Sequence, residues 1–80
     1  MNVMTGRKLA SLRAELSIDQ SDLAQEARVA QSTISRVENG TAHSEQVYLR
    51  LFYAINRLRK ARGWPEINYE DIGWPPVRKT

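Results

Sequence analysis

Apolar residues recur at helical spacing in four stretches of the chain, and no stretch alternates apolar and polar residues for long enough to indicate a strand. In the first stretch Leu9, Leu12 and Leu16 share one face. This spacing predicts a helix over residues 6–16 with Thr5 as its N-cap. The whole pattern predicts one all-helical domain, because 80 residues are enough for one hydrophobic core and too few for two.

The second helix is predicted to begin at Asp19, whose carboxylate can accept hydrogen bonds from the backbone N–H groups of the first turn. Ile18 before it and Leu23 within it are placed to form a hydrophobic staple. A break over residues 28–30 separates this helix from the next one.

The third helix is predicted over residues 31–38, with only Ile34 and Val37 as its apolar inner edge. Gly40 ends it, since glycine readily adopts the left-handed conformation that a helix C-terminus favours. A helix of two turns is marginal in isolation, so its neighbours must stabilise it.

The fourth helix is predicted over residues 44–62. Its inner side carries Val47, Tyr48, Leu51, Ala54, Ile55 and Leu58. Residues 1–62 are the predicted main domain, and residues 63–80 are a C-terminal tail that serves dimerisation or packing. Within the tail, residues 68–72 can form one helical turn capped by Asn68.

The outward face of the third helix consists of hydrogen-bonding side chains without a carboxylate. These side chains are Gln31, Ser32, Ser35, Arg36 and Asn39. Two short helices joined by a short turn are typical of a helix-turn-helix, whose second helix enters the major groove of DNA. Glutamine can pair with adenine and arginine with guanine, each pair giving about 1–3 kcal/mol of base discrimination. The residues alone therefore favour a DNA-binding surface on this helix.

Two runs of the sequence carry a family resemblance. Residues 16–25, LSIDQSDLAQ, and residues 29–40, VAQSTISRVENG, resemble the helix-turn-helix of the Cro/phage-repressor (XRE) family. The likeness extends over residues 7–58. It implies a lambda-repressor-like domain of four to five helices, with residues 31–38 as the recognition helix. It also implies a transcriptional regulator that binds double-stranded operator DNA as a homodimer.

The resemblance also implies roles for individual residues. The base-reading positions are Gln31, Ser32 and Arg36. The positions that contact the DNA backbone are Gln20, Thr33, Ser35, Asn39 and Thr41. Gln20 is further expected to brace Gln31. Arg13 and Glu38 match a family pair that ties the first helix to the end of the recognition helix, and we interpret them as a structural salt bridge.

The chain departs from the family pattern at the turn and at the start of the recognition helix. Arg28 stands where the family commonly has a left-handed glycine, which costs on the order of 1–2 kcal/mol if that geometry is retained. Ala30 stands at the usual Ser or Thr cap, whose hydrogen bond is typically worth about 1 kcal/mol. Both departures concern stability and leave the outward face unchanged.

Charge is distributed unevenly, so the formal net charge of +3 conceals two opposite regions. Residues 19–45 carry five acidic and two basic side chains, whereas residues 50–62 carry five basic and no acidic ones. These five cations are either phosphate contacts or a solvated helix end. They are Arg50, Arg57, Arg59, Lys60 and Arg62. Arg7 and Lys8, at the start of the first helix, are further candidate phosphate contacts.

Four large side chains are surplus to the inner face of the fourth helix: Leu49, Tyr53, Trp64 and Trp74. We expect them to form a dimer interface, which would place two recognition helices about 34 Å apart on a near-palindromic operator. Alternatively, the tail folds back over its own helix and covers these side chains within one chain.

Composition argues against several functions. With no cysteine and a single histidine, His43, the sequence offers no catalytic group, metal site or cofactor site, and it has no apolar run that could span a membrane. We therefore expect a cytoplasmic, nucleoid-associated regulator rather than an enzyme. The expected role is a small repressor or controller, such as one that belongs to a phage or another mobile element.

Two further interpretations stay open. Asp22 and Glu26 on the second helix are either RNA polymerase contacts or an ordinary solvated face. An alternative function is an antitoxin or adaptor-type interaction module that uses the tail to bind a partner and binds DNA only secondarily.

Overall fold

The computed structural model describes residues 3–41 and 43–75, which form helices joined by short connections. The helices are α1 (Val3–Glu15), α2 (Gln20–Ala27), α3 (Gln31–Glu38), α4 (Glu45–Ala61) and α5 (Tyr69–Ile72). No strand occurs in these residues, and the predicted all-helical class is confirmed. None of the described helices is both long enough and apolar enough to cross a membrane. The end of the predicted tail, residues 76–80, lies outside the described residues.

The start of α1 differs from the prediction. Its first residue is Val3, so Thr5 and Gly6 lie inside the helix and Thr5 is not the N-cap. An interior glycine costs only about 1 kcal/mol relative to alanine, which is too little by itself to set a helix boundary. The helix ends at Glu15, and Ser17 follows in the left-handed conformation with φ of 58°.

The start of α2 agrees with the prediction. Asp19 is the N-cap: its Oδ1 accepts a 2.8 Å hydrogen bond from the N–H of Asp22, whose Oδ2 accepts from the N–H of Asp19 at 3.2 Å. This reciprocal capping box satisfies backbone donors that have no partner within the helix. Leu23 is buried and Ile18 packs against the core, as a hydrophobic staple requires.

The turn between α2 and α3 has left-handed geometry although it lacks a glycine. Arg28 has φ of 60° and ψ of 46°, and the N–H of Val29 donates to the carbonyl of Ala24 at 3.0 Å. The N-cap of α3, Ala30, makes no side-chain hydrogen bond. After α3, Gly40 adopts a φ of 89°, as predicted. A strained turn and an uncapped start therefore precede α3.

The core is formed by one apolar stripe from each of the first four helices, joined by Ile72 and Trp74 from the tail. Its largest fully buried side chains are Leu9, Leu16, Leu23, Ile34, Val37, Leu51 and Ile55. α3 packs against both α1 and α2, and α4 packs on α2. Because two helices contact α3, a segment of two turns is stable in this position.

The described part of the tail folds back along α4. Ile72 and Trp74 are 2% and 4% exposed, and the Trp74 ring stacks on Tyr48 with a centroid distance of 4.8 Å. Asn68 occupies the N-cap position of α5 without a side-chain hydrogen bond. Trp74 is therefore a core residue and does not belong to an exposed dimer interface, because Tyr48 and Ile72 offer its ring apolar surface within the same chain.

Candidate nucleic-acid interface

α3 presents a polar face opposite its buried side. Ile34 and Val37 are 0% and 2% exposed, so the remaining positions of the helix point away from the core. The exposed residues are Gln31, Ser32 and Arg36 on the helix and Asn39 and Thr41 directly after it. Thr33 and Ser35 are half-buried at the margins of this face. The structure thus places the three predicted base-reading residues on the accessible side of α3.

The carboxylate of α3 points away from this face. Glu38 accepts hydrogen bonds at Oε2 from Nε of Arg13, 2.8 Å away, and at Oε1 from Nη2 of Arg13, 3.1 Å away. The amide of Gln20 donates to the same Oε1 over 3.0 Å. The Glu38 side chain is only 9% exposed, and a carboxylate in such a place needs partners because burying an unpaired charge is strongly unfavourable.

Arg13 connects this network to the end of α1. Its Nη1 donates to the carbonyl of Ile18 at 3.1 Å, so both branches of the guanidinium are engaged. The hydrogen bond to Glu38, together with the charges of Glu38 and Asp19, raises the pKa of Arg13 above its usual value despite partial burial. Arg13 is therefore charged at every pH at which the protein can be studied, and the network ties α1, α2 and α3 together.

Gln20 has a different partner from the one that the resemblance implies. Its Nε2 donates to Glu38, the last residue of α3, and in the described part of the chain no bond joins it to Gln31, the first residue of α3. Gln31 is exposed, so its amide remains accessible. Gln20 fixes the packing of α2 against the far end of α3 and does not orient Gln31.

Two arginines of α4 stabilise the C-terminal end of α2. Nη1 of Arg50 donates to the carbonyl of Arg28 at 3.2 Å, and Nη2 of Arg57 donates to the carbonyl of Glu26 at 2.8 Å. Nε of Arg57 also bonds the Glu26 carboxylate at 2.8 Å. Cations at a helix C-terminus match both its unpaired carbonyl groups and its dipole. These contacts therefore support the left-handed turn that precedes α3.

Arg59 of α4 and Arg62, the C-cap residue of α4, contact the tail. Arg59 donates from Nε to the carbonyl of Pro65 at 2.8 Å and from Nη1 to Glu15 at 3.1 Å. Arg59 and Arg62 each lie 5.4 Å from the centre of the Trp64 ring, within reach of a cation–π interaction. Much of the basic run on α4 is thus engaged within the chain, which favours a structural helix end over phosphate binding.

The other predicted surface contacts are dispersed. Arg7 is exposed and Lys8 is half-buried on α1. Asp22 belongs to the capping box of α2, and Glu26 is paired with Arg57. The two acidic side chains therefore have structural partners, which favours an ordinary helix surface over a polymerase contact.

The structure separates the four side chains expected at a dimer interface. Trp74 is buried, and Trp64 is half-buried beside Arg62. Arg59 and Arg62, which both approach the Trp64 ring, follow Tyr53 by six and nine residues, so Trp64 lies at the C-terminal end of α4, more than one and a half helical turns beyond Tyr53. Leu49 and Tyr53 are one turn apart and share a face. These two residues remain candidates for an interface.

Sequence reasoning missed Asn56, a polar residue of α4 that is only 7% exposed. Its Nδ2 donates to the carbonyl of Ile67 at 3.1 Å, and its Oδ1 accepts from the N–H of Ile67 at 2.9 Å. These two bonds fasten the tail to α4. A signal was available: Asn56 follows Phe52 by four residues and Leu49 by seven, on an apolar flank where a polar side chain needs a partner.

Comparison with known families supports the geometry of α2 and α3. A family model described as a helix-turn-helix domain, from the Cro/C1 clan, matches residues 5–55, which is more than half of the chain. The matched region contains the whole network of Arg13, Gln20 and Glu38 and the exposed face of α3. Comparisons with curated proteins and with solved structures gave no match.

Proposed function

The chain belongs to the helix-turn-helix domain family, and from that premise we propose that it is a sequence-specific DNA-binding repressor or controller. The domain itself indicates a DNA-binding regulator, and DNA-binding domains of this kind are typically not enzymes. The proposal adds that the chain acts as a homodimer on a near-palindromic operator. The resemblance to phage repressors supports a phage or another mobile element as its setting.

The observation that carries the proposal is the sorting of charge around α3. Its carboxylate, Glu38, is paired with Arg13, while its cation, Arg36, is exposed. Phosphates repel carboxylates and attract guanidinium groups, so this orientation suits the approach of α3 to a duplex. It also directs one of the five acidic side chains of residues 19–45 away from the exposed face of α3.

The residues around α3 divide into two proposed roles. Gln31, Ser32 and Arg36 read base edges in the major groove, where glutamine and arginine can each make two hydrogen bonds to one base. The proposed backbone contacts are Gln20, Thr33, Ser35, Asn39 and Thr41. Gln20 keeps one amide N–H for a phosphate, since its Nε2 carries two hydrogens and one of them is directed at Glu38.

Selection of DNA fragments by the purified chain tests the proposal, and a motif with twofold symmetry is expected. On that motif, Arg36→Ala should reduce the preference for the selected duplex over a scrambled one by about 5- to 150-fold, since a guanine contact is worth about 1–3 kcal/mol. Ser11→Ala, on the exposed surface of α1, is the matched control and should change nothing. An unchanged preference in Arg36→Ala would contradict the base-reading assignment.

The salt dependence of DNA affinity tests which cations contact phosphates. Because Arg50, Arg57 and Arg59 are bonded within the chain, we expect affinity to fall only shallowly as salt rises. Arg59→Ala should leave the slope unchanged, whereas Gln20→Ala should weaken binding to all duplexes alike. A steep slope that Arg59→Ala reduces would show that α4 reaches the DNA backbone.

A further inference from the structure

A cleft of about 560 Å³ lies between the C-terminal end of α2 and the middle of α4. We call it the α2–α4 cleft. Its volume falls within the range of about 300–1,000 Å³ that is typical of small-molecule sites. Among the described residues, those that line it belong to α2, to its C-cap Arg28 and to α4, and none belongs to α3. The cleft is therefore separate from the exposed face of α3.

Two guanidinium groups are held in fixed positions at the wall of this cleft. Arg50 donates from Nη1 to the carbonyl of Arg28 at 3.2 Å, and Arg57 donates from Nη2 to the carbonyl of Glu26 at 2.8 Å. A guanidinium carries five N–H donors, of which these contacts and the bond to the Glu26 carboxylate use one in Arg50 and two in Arg57. Both groups therefore keep donors for a ligand and are already oriented to offer them.

Arg28 adds a third guanidinium, which has no partner in the described part of the chain. Its side chain is exposed and lines the cleft, and no hydrogen bond or ion pair among the described residues involves it. Its backbone has φ of 60° and ψ of 46°, a conformation that residues other than glycine adopt only with strain. The arginine side chain thus contributes no bond to the turn that it strains, and its donors are available to a ligand.

The charge of the cleft favours an anion. Its one carboxylate, Glu26, is paired with Arg57 at 2.8 Å, so an excess of two positive charges remains among the lining residues. The carbonyl groups of Glu26 and Arg28 accept bonds from Arg57 and Arg50 and are not free to repel an anion. The cleft therefore offers a ligand mainly hydrogen-bond donors.

An aromatic ring lies between the two fixed guanidinium groups. Tyr53 follows Arg50 by three residues and precedes Arg57 by four, so the three side chains share one face of α4. Tyr53 is 55% exposed and lines the cleft. An exposed ring of this kind is a surface on which another flat ring can stack.

We propose that the α2–α4 cleft binds a nucleotide, with its phosphate on Arg28, Arg50 and Arg57 and its base stacked on Tyr53. A phosphate monoester carries a charge of about −1.5 to −2 at pH 7, which matches the excess of two positive charges, whereas a carboxylate supplies only one negative charge. The planar guanidinium fork suits the oxygens of a phosphate. The proposal does not depend on DNA binding, because α3 takes no part in it.

Titration calorimetry of the full chain without DNA tests the proposal, with adenosine monophosphate (AMP), adenosine and inorganic phosphate as the probes. AMP should bind at one site at least about tenfold more tightly than either of the other two, because only AMP carries both a phosphate and a base. Equal affinities for AMP and inorganic phosphate would overturn the proposal, and so would the absence of saturable AMP binding.

Arg28→Gly tests the phosphate contact. It should weaken AMP binding by about tenfold or more, since a charge-assisted hydrogen bond is lost. Glycine relieves the strain at φ of 60°, so this variant should be at least as stable as the natural chain and weaker binding would not reflect unfolding. Arg62→Ala removes an exposed cation outside the cleft and is the matched control, which should bind AMP normally. Equal losses in the two variants would indicate a general attraction of anions and overturn the proposal.

Tyr53→Leu tests the stacking contact. It keeps an apolar side chain but removes the ring, so AMP should bind about fivefold or more less tightly while inorganic phosphate binds as before. A variant that binds AMP as tightly as the natural chain would overturn the placement of the base on Tyr53. Equal losses for AMP and inorganic phosphate would overturn it too, because the ring would then act only on the shape of the cleft.

A phosphate group can also come from the backbone of DNA, and the affinity of Arg28→Gly for a scrambled duplex distinguishes the two sources. We expect this affinity to be unchanged, because the cleft has no lining residue on α3. A loss of duplex affinity with unchanged AMP binding would assign the cleft to the DNA backbone and overturn the proposal. A chain that selects no DNA motif would contradict the proposed function but would leave the AMP results as they are, so the two failures can be told apart.

Discussion

Two nearly buried polar side chains join the elements of this small domain, and they do so in different ways. Glu38, with a side chain 9% exposed, accepts bonds from Arg13 and Gln20 and so joins three helices. Asn56, 7% exposed, bonds only the backbone of Ile67 and joins the tail to α4. The first network positions the DNA-binding motif, and the second fastens the tail to α4.

The difference concerns what each group needs in order to be buried. A carboxylate in low dielectric needs a cation, so the Glu38 network depends on the identity of two other side chains. An amide can be satisfied by one N–H and one carbonyl of the backbone, which every residue except proline supplies. The helix-turn-helix is therefore specified by side-chain chemistry, whereas attachment of the tail is specified by backbone position.

Removing the carboxylate should have the largest effect. Glu38→Ala leaves the guanidinium of Arg13 without its counter-charge, and we expect a loss of about 2–3 kcal/mol in the free energy of unfolding. Chemical denaturation measures this loss. Glu15→Ala is the matched control, because its pair with Arg59 is more exposed and should be worth less than about 1 kcal/mol. Equal losses would show that burial does not distinguish the two ion pairs.

Removing the amide should cost somewhat less and should act on the other region. Asn56→Ala leaves the N–H and carbonyl of Ile67 without partners, and we expect a loss of about 2 kcal/mol and a red shift of tryptophan fluorescence as Trp74 becomes hydrated. Asn68→Ala removes an amide that makes no capping bond and should cost under about 0.5 kcal/mol. Affinity for half of the operator should survive in Asn56→Ala, and its loss would mean that the two regions are coupled.

Adding a cap should strengthen the motif without touching its charged network. Ala30 already has the extended N-cap conformation, with φ of −70° and ψ of 148°, so Ala30→Ser should raise the free energy of unfolding by about 1 kcal/mol. Thermal denaturation measures the gain. The same substitution at Ala14, inside α1, offers no cap and should slightly destabilise the chain. A gain at both positions would rule out capping as the cause.

Alkaline pH should have the smallest effect, and it should act on the tail. Burial of Tyr69 beside Tyr48 and Glu45 raises the pKa of its phenol above the usual 10.0, and its hydroxyl donates to the carbonyl of Pro75 at 2.9 Å. The folded state thus favours the protonated phenol, so its contribution to stability is present below the ordinary pKa and is lost as pH rises through the folded one. As pH rises through the alkaline range, the unfolding midpoint should fall less steeply in Tyr69→Phe than in Tyr53→Phe. Identical pH profiles of the two variants would contradict this.

Sequence reasoning succeeded where the signal was local. Asp19 and Gly40 mark the start of α2 and the end of α3, since capping and left-handed turns depend on a few neighbouring residues. The predicted start of α1 was wrong because the helix propensity of single residues does not by itself set a helix end. The partner of Gln20 was also missed, because the hydrogen-bonding groups that adjacent helices offer to an amide cannot be ranked without their distances.

By itself, the sequence determined the all-helical class, the two short helices and the outward side of α3, because helical periodicity assigns each residue to the core or to solvent. Only the tertiary structure decided what the surface charges face. Arg36 is exposed, Arg57 is paired with Glu26, and Arg59 contacts both Glu15 and the tail. These contacts join residues that lie six to 44 positions apart in the chain. Long flexible side chains choose among several such partners by distance and burial, which spacing along the sequence does not encode.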